Sequence, residues 1–553
     1  MTKLLKYFSV SIAILAILLM LSVLIFSVEQ WSVFFALDLQ NILIKGTNHS
    51  YAFSLADRKG IILILLFFLA FIFGVASYKA DRVVEQVKSG VRFLSNYAVD
   101  TFKLIKTSNV KYFLLLSFFT TLYLAFFYPL TLDEPMTYYD FIKPPFWHGL
   151  ALYPYPNNHV FSTLLVNLSN EIPGLDLLFR LRLPAVFISL LTWVFGYRFV
   201  RKFYGENVAL FVVALGVIVV TNMQHAYIAR GYAFVMFFVV IGFYSAFNII
   251  KNDNRPRDWF AFALSSALGA WTMPSYLYPF LSISLLIFIY NYKHLKTQIL
   301  YSALVGVLVF LMYSPILIVS GIEALTDNEF VQTVDRLTVV KSLPGFMLGT
   351  VVHIFYAPYY IVIAVFALAI AYTLWRRDKP TIVLWLIFGL TPCLFLVLHS
   401  VLPFFRTFFY YGFIFTFLFA VSFADLLTRV SARILMISLL CIHLLGIAFF
   451  FKISRGLMPE VFQSDDVIKV VLEDNKRYYM DGGISWIQLM NMQFEAERKD
   501  FTISVSGDLS AEYDCYLIRK KADTLQKKME EKGMKSTDMI GIFNTPIVIY
   551  SKK

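Results

Sequence analysis

Two adjacent carboxylates, Asp133 and Glu134, stand in the run Thr131-Leu132-Asp133-Glu134-Pro135, directly after a long apolar stretch. Holding ionisable groups where the dielectric is falling is costly, so such groups are functional candidates by default. Desolvation and the charge of a twin push a carboxylate's pKa toward neutrality, which suits a general base taking a proton from a hydroxyl. Asp133 and Glu134 are thus the candidate catalytic pair; the competing reading is that they only terminate a helix in water. Further on, Gln224-His225-Ala226-Tyr227-Ile228-Ala229-Arg230-Gly231-Tyr232 lies between two apolar runs with Arg230 as its only charge, and Leu402-Pro403-Phe404-Phe405-Arg406 carries another isolated arginine. Guanidinium groups match phosphate oxygens through two parallel hydrogen bonds. A lone boundary arginine ordinarily snorkels to the interface, but Arg182, Arg230 and Arg406 on the same face as an acidic pair describe a site for an anionic, lipid-borne substrate. Gln224, His225 and Tyr232 beside Arg230 are candidate substrate contacts, as are Asn158 and His159 in Tyr153-Pro154-Tyr155-Pro156-Asn157-Asn158-His159. For His159 the reading divides evenly between substrate contact and packing.

What positions these residues is set by composition. Of 553 residues, 59% are hydrophobic and 15% charged, against about a quarter charged in soluble proteins. Runs such as Tyr7 to Val28 or Thr350 to Trp375 match the ~20 apolar residues needed to cross a ~30 Å hydrocarbon core. The expected architecture is an all-α polytopic membrane protein with about thirteen transmembrane helices and a small C-terminal α/β soluble domain. Its parts are two N-terminal transmembrane helices in 1–80, a basic amphipathic segment in 81–111 lying along the cytoplasmic face, a transmembrane core in 112–453, and an extracytoplasmic domain in 454–553. The weakest pair of spans meets around Trp271 to Pro274, where a re-entrant hairpin is the alternative.

The formal net charge of +12 does not point to nucleic acid, because Lys and Arg concentrate in alternate loops. Segments 79–111, 198–206, 251–258, 291–297, 376–379 and 427–433 are all basic, the positive-inside pattern. That leaves 29–60, 131–182, 223–231, 321–349 and 401–406 outside, on the side of the candidate site, and makes membrane lipid the partner of the basic loops. Lys3 and Lys6 before a long apolar stretch, with no small-residue cleavage site after it, read as an uncleaved first span. Cys393, Cys441 and Cys515 lack metal-knuckle or disulfide spacing. His49, His148 and His353 have no partner at ligand spacing and read as interface residues. Sequons at Asn48 and Asn167 carry no weight. In the tail, alternation in Phe501 to Val505, Tyr513 to Ile518 and Pro546 to Tyr550 predicts strands and Asp523 to Lys532 a polar helix; nothing in it looks catalytic.

In order and context these residues resemble the GT-C clan of membrane glycosyltransferases, particularly the branch with protein O-mannosyltransferases and the lipid A aminoarabinose transferase. The acidic pair opens the first large outside loop, and Pro156-Asn157-Asn158-His159 follows. Arg182-Leu183-Pro184-Ala185 then opens a span, Arg201-Lys202-Phe203-Tyr204-Gly205 fills the next inside loop, and Ala229-Arg230-Gly231-Tyr232 and Pro403-Phe404-Phe405-Arg406 come later. The match runs from about Lys111 to Phe451 and is detailed only over 130–235. The resemblance implies a GT-C-like core that transfers a sugar from a polyprenyl-phosphate carrier to an acceptor hydroxyl on a glycan, lipid or protein, with inversion at the sugar carbon. It gives Asp133 the role of base, Glu134 that of orienter or second ligand, and the arginines that of holding the leaving phosphate. Family members often carry a carboxylate just before the Ala-Arg-x-Tyr element, where this chain has Ile228, so the resemblance names no certain cofactor and leaves a divalent cation open. The alternatives are a flippase or transporter for a lipid-linked or anionic substrate, and a surface-polysaccharide polymerase or ligase. Polar residues gathered at one face favour surface chemistry over alternating access.

Overall fold

The computed structural model describes residues 2–35, 42–45, 50–251, 254–326, 333–482, 484–508, 511–541 and 545–551; Asn48 and His49 lie outside them. The chain is an integral membrane protein. Among the described residues, nine segments are helical, long and apolar enough to cross a bilayer: Thr2–Ile25, Lys59–Tyr78, Val110–Phe127, Leu177–Tyr204, Tyr232–Lys251, Pro274–Val319, Arg336–Phe355, Lys379–His399 and Ala432–Leu457. The expectation of about thirteen crossings also draws on shorter apolar helices, Glu206–Ile218, Tyr359–Trp375 and Tyr411–Ser422, and on Pro256–Thr272. It further counts Leu277–Asn291 and Leu295–Val319 separately within the sixth segment. Pro274 separates Pro256–Thr272 from Leu277–Asn291, so the doubtful pair is two helices, and the first starts at Pro256, three residues earlier than its apolar run suggests.

One boundary differs from expectation. The run 350–375 is not a single span: Tyr356 takes a left-handed conformation (φ 54°) and Pro358 follows, ending Arg336–Phe355 and restarting the chain at Tyr359–Trp375. Proline lacks the N–H that would continue the helix and disfavours helical backbone before it. The helix Arg336–Phe355 meets one end of the bundle along its length. The Val334 N–H just before it donates to Ser400 (2.7 Å), Thr221 donates to the Ile354 carbonyl (3.3 Å), and the Phe405 ring packs against Phe346 (5.3 Å). It therefore packs against the end of the bundle where Arg406 stands.

At that same end, the segment after Val110–Phe127 folds into short helices, Asp133–Thr137, a π-helical turn Tyr138–Ile142, Trp147–Ala151 and Val160–Asn170. His148 is buried there, its ring against Trp147, so it is not the interface residue expected. Tyr232–Lys251 lies in an aromatic and aliphatic core, where its Phe243 packs against Phe199, Phe388, Phe413 and Phe417. Before the core, the Ala80–Thr107 helix is held to Leu177–Tyr204 by Arg198, which stacks on Tyr97 (3.5 Å).

The C-terminal domain carries a five-stranded sheet in the order Ile503–Ser506, Lys476–Met480, Cys515–Arg519, Thr545–Ser551, Lys535–Gly541. The first two pairings are parallel and the last two antiparallel. Pro459–Val471 and Trp486–Arg498 pack one face, and Asp523–Glu531 packs the other through Met529. The domain sits on the site end of the bundle: Lys143 pairs with Glu497 (2.7 Å) and Arg498 with Asp176 (2.7 Å). A membrane-impermeant thiol reagent is thus expected to label Lys143→Cys and Lys532→Cys from one side of the membrane and Lys379→Cys from the other. Labelling of all three from a single side would refute this arrangement.

Candidate functional site

Along a helical turn, successive side chains point about 100° apart, so Asp133 and Glu134 cannot face the same way. Glu134 turns inward and is fully buried against Arg182, which is also fully buried. Glu134 Oε1 accepts from Arg182 Nε (2.9 Å) and the Ala229 N–H (2.9 Å). Its Oε2 accepts from Arg182 Nη2 (2.7 Å), the Thr131 N–H (2.8 Å) and the Thr131 hydroxyl (3.0 Å). The rest of the Arg182 guanidinium donates to the carbonyls of Tyr128 (2.9 Å) and Pro129 (2.8 Å), with Leu124 and Ala125 at 3.3 Å. These include carbonyls that a helix end leaves without partners. Arg182 therefore caps Val110–Phe127 and has no donor left for a phosphate, which corrects its expected role. Glu134 likewise has no lone pair free for an acceptor hydroxyl.

Asp133 points the other way, toward Arg230 and Arg406, with its side chain 26% exposed. Its Oδ2 lies 3.2 Å from Arg406 Nη1 and 3.6 Å from Arg230 Nη2. Burial pushes its pKa up, but the Arg230 and Arg406 guanidiniums outweigh that and hold it below the usual carboxylate value. Burial also acts on Glu134 and is outweighed by Arg182 and the two backbone donors. The expected rise toward neutrality is therefore reversed, because each carboxylate has its own cation and neither feels an uncompensated twin.

The two arginines differ in exposure. Arg230 is 5% exposed, fixed by the Asn157 carbonyl (3.2 Å) and near the Thr137 hydroxyl (3.5 Å). Its Nε is buried with no partner among the described residues. Arg406 sits in the short turn Phe405–Phe408 and is 42% exposed. Behind them, Tyr232 is flanked by the rings of His225 (4.2 Å), Phe409 (5.2 Å) and His159 (5.3 Å). His159 Nδ1 accepts the Gly231 N–H (2.7 Å), so it is the unprotonated nitrogen of a neutral ring. Burial, then the positive charge of Arg230 and Arg406, keeps His159 neutral. A Cβ at Gly231 would come within 2.7 Å of His159, so glycine is needed for this approach. His225 is buried with both ring nitrogens unpartnered among the described residues, and Gln224 is half-buried on the same short helix Val220–His225.

Asn158 is spent internally: its amide donates to the Gly149 and Leu152 carbonyls (2.9 Å each) and accepts from Thr163 (3.0 Å). Its neighbour Asn157, not singled out in the sequence, is the residue that touches Arg230. His353, read as an interface residue, is close enough to Arg406 and His225 for their charges to interact. No group of three His, Cys, Asp or Glu side chains suited to a metal is found among the described residues, and two guanidiniums occupy the side of Asp133 that a cation would need.

No protein-family model matches the chain and no curated protein matches it. Among solved structures, ArnT from Cupriavidus metallidurans in the apo state aligns with a TM-score of 0.50 and 11% identity, over 82% of this chain and 98% of that one. The chain shares the ArnT fold, the GT-C-like architecture expected above. The arabinosyltransferase EmbB from Mycobacterium smegmatis gives 0.37 at 10% identity, over 69% and 35% of the two chains. ArnT bound to undecaprenyl phosphate gives 0.31 at 11% identity, over 80% and 97%.

Removing one member of a buried ion pair strands the other, at a cost of about 3–5 kcal/mol. Arg182→Ala and Glu134→Ala should each lower the thermal midpoint of the purified protein sharply. Because the Glu134 pKa is depressed on folding, its stabilisation is complete above the ordinary value of 4.5 and is lost as pH falls through the lower folded value. An Arg182→Ala midpoint equal to wild type would show that the pair is not structural.

Proposed function

We propose that this chain is an inverting membrane glycosyltransferase that moves a sugar from a polyprenyl-phosphate carrier to an acceptor hydroxyl on a glycan, lipid or protein. The observation that carries this reading is the convergence of Asp133 with Arg230 and Arg406 at one end of the bundle, from segments separated by 273 residues in the case of Asp133 and Arg406. The GT-C-like fold and the resemblance of the motif order to that clan support it. The basic loop residues Arg376, Arg377, Arg429 and Arg433 lie at the opposite end of helices leading to the site. By the positive-inside rule the site and the C-terminal domain then face the extracytoplasmic side of a bacterial plasma membrane.

In the reaction, the acceptor hydroxyl loses its proton to Asp133 as its oxygen bonds to the anomeric carbon. The bond from that carbon to the phosphate oxygen breaks, and the electron pair leaves with the polyprenyl phosphate. Arg230 and Arg406 stabilise the charge that develops on the departing phosphate, the usual electrostatic route to a lower barrier. Both guanidiniums are on Asp133 and make it a weak base. A carrier phosphate competes for them, first for the more exposed Arg406, so donor binding restores the basicity of Asp133. Tyr232 and His225 pack beside the clamp, where the His225 nitrogens and the Nε of Arg230 are buried without partners among the described residues.

Mass spectrometry of lipid co-purified with the protein is expected to find a polyprenyl-phosphate sugar or the bare carrier phosphate; only ordinary phospholipid would count against this reading. Asp133→Asn should fold normally and lose at least the ~10²–10⁴-fold expected of a general base, and near-normal turnover would remove Asp133 from that role. Arg406→Gln takes away a cation that depresses the Asp133 pKa. The acid limb of kcat/KM should therefore move to higher pH in that variant, whereas an unmoved limb would separate Asp133 from the titration.

A further inference from the structure

The C-terminal domain is joined to the site by more than a tether. Its helix Trp486–Arg498 places Phe494, fully buried, in an apolar cluster with Leu130, Tyr138, Ile142, Leu178 and Ala229. Leu130 precedes the acidic pair and Ala229 precedes Arg230. Three residues after Phe494, Glu497 accepts a hydrogen bond from the Tyr138 hydroxyl and pairs with Lys143. Those two partners bracket the π-helical turn Tyr138–Ile142, which the Lys143 N–H closes on the Tyr138 carbonyl (2.8 Å). The next residue, Arg498, pairs with Asp176, the cap of the helix that carries Arg182.

We infer that Glu497 is a positioning residue: by holding Tyr138 across the π-helical turn, the C-terminal domain sets the placement of Asp133 in the preceding turn. This rests on the glycosyltransferase reading for its consequence, but not for its geometry. A π-helical turn is a local irregularity often found at functional sites, and here it is the joint between Asp133–Thr137 and the rest of the external segment. The Tyr138 bond is the latch, because the Lys143 pair is half exposed on its lysine side and such pairs contribute little. Arg230 and Arg406 stand on other segments, so the phosphate clamp does not depend on Glu497.

The test compares Glu497→Ala, Tyr138→Phe and Glu497→Gln in the full-length protein. Hydrogen exchange over 131–143 should speed up in Glu497→Ala and Tyr138→Phe, with Tyr411–Ser422 unchanged; unchanged exchange over 131–143 would overturn the proposal whatever the activity. With undecaprenyl-phosphate-linked sugars as donors and host envelope extract as acceptor, kcat should fall about tenfold or more in both variants, as for a misplaced catalytic group. The Kd for undecaprenyl phosphate should not rise, because a displaced Asp133 competes less for the arginines, and the thermal midpoint should stay close to its wild-type value. Glu497→Gln, whose amide oxygen still accepts from Tyr138, should recover most of the rate. Wild-type kcat in Glu497→Ala, or loss of carrier binding and stability together with rate, would refute positioning. A wild-type protein that neither binds undecaprenyl phosphate nor consumes the donors would refute the glycosyltransferase reading instead, and the exchange measurement would still decide the latch.

Discussion

The ion pair between Glu134 and Arg182 is the interaction on which the site is built. Two opposite charges without solvent exposure carry a desolvation penalty of several kcal/mol each, repaid only where hydrogen bonds satisfy both groups. Here they do. The donors and acceptors around the pair belong to the end of Val110–Phe127, the Thr131 turn, the helix Leu177–Tyr204 and the backbone at Ala229. Three pieces of chain distant in sequence, 124–134, the helix with Arg182 and the backbone at Ala229, are thereby locked at one point.

That lock is what gives two neighbouring carboxylates different work. With Glu134 neutralised by Arg182, Asp133 is left with two guanidiniums of unequal exposure, one buried and bonded to Asn157 and one half exposed on a short turn. A cationic pair with a single carboxylate between them is a charge arrangement that an anionic ligand can enter by exchange, taking the place of Asp133 on the arginines. The aromatic and imidazole rings around Tyr232 pack behind the two arginines. The helix Arg336–Phe355 packs against the end of the bundle, and Gly349 admits the Phe405 ring beside it.

Much of this was legible in the sequence. Hydropathy located most of the long apolar helices, because crossing length is a local property. The acidic pair, Arg230 and Arg406 stood out because isolated charges beside apolar runs are expensive to keep. The division of roles was not legible: Asp133 and Glu134 are equivalent in the chain, and the distinction comes from Arg182, 48 residues away, and Ala229, 95 residues away. Asn158 drew attention over Asn157 because only folding shows which amide is used up inside. The break after Phe355 had a signal, Pro358, that continuous apolarity from Thr350 to Trp375 concealed. In the tail, Lys476–Met480 and Lys535–Gly541 escaped the strand pattern; the second is an edge strand whose exposed side chains alternate too weakly to reveal it.

The central claim is that Arg230 and Arg406 form a phosphate clamp next to Asp133. A cryo-electron microscopy map of the full-length protein with undecaprenyl phosphate tests it most directly. The account predicts phosphate density bonded to both guanidiniums, Arg406 drawn off the Asp133 carboxylate, and Arg182 unmoved on Glu134. Phosphate density at another place, with both arginines still on Asp133, would contradict it.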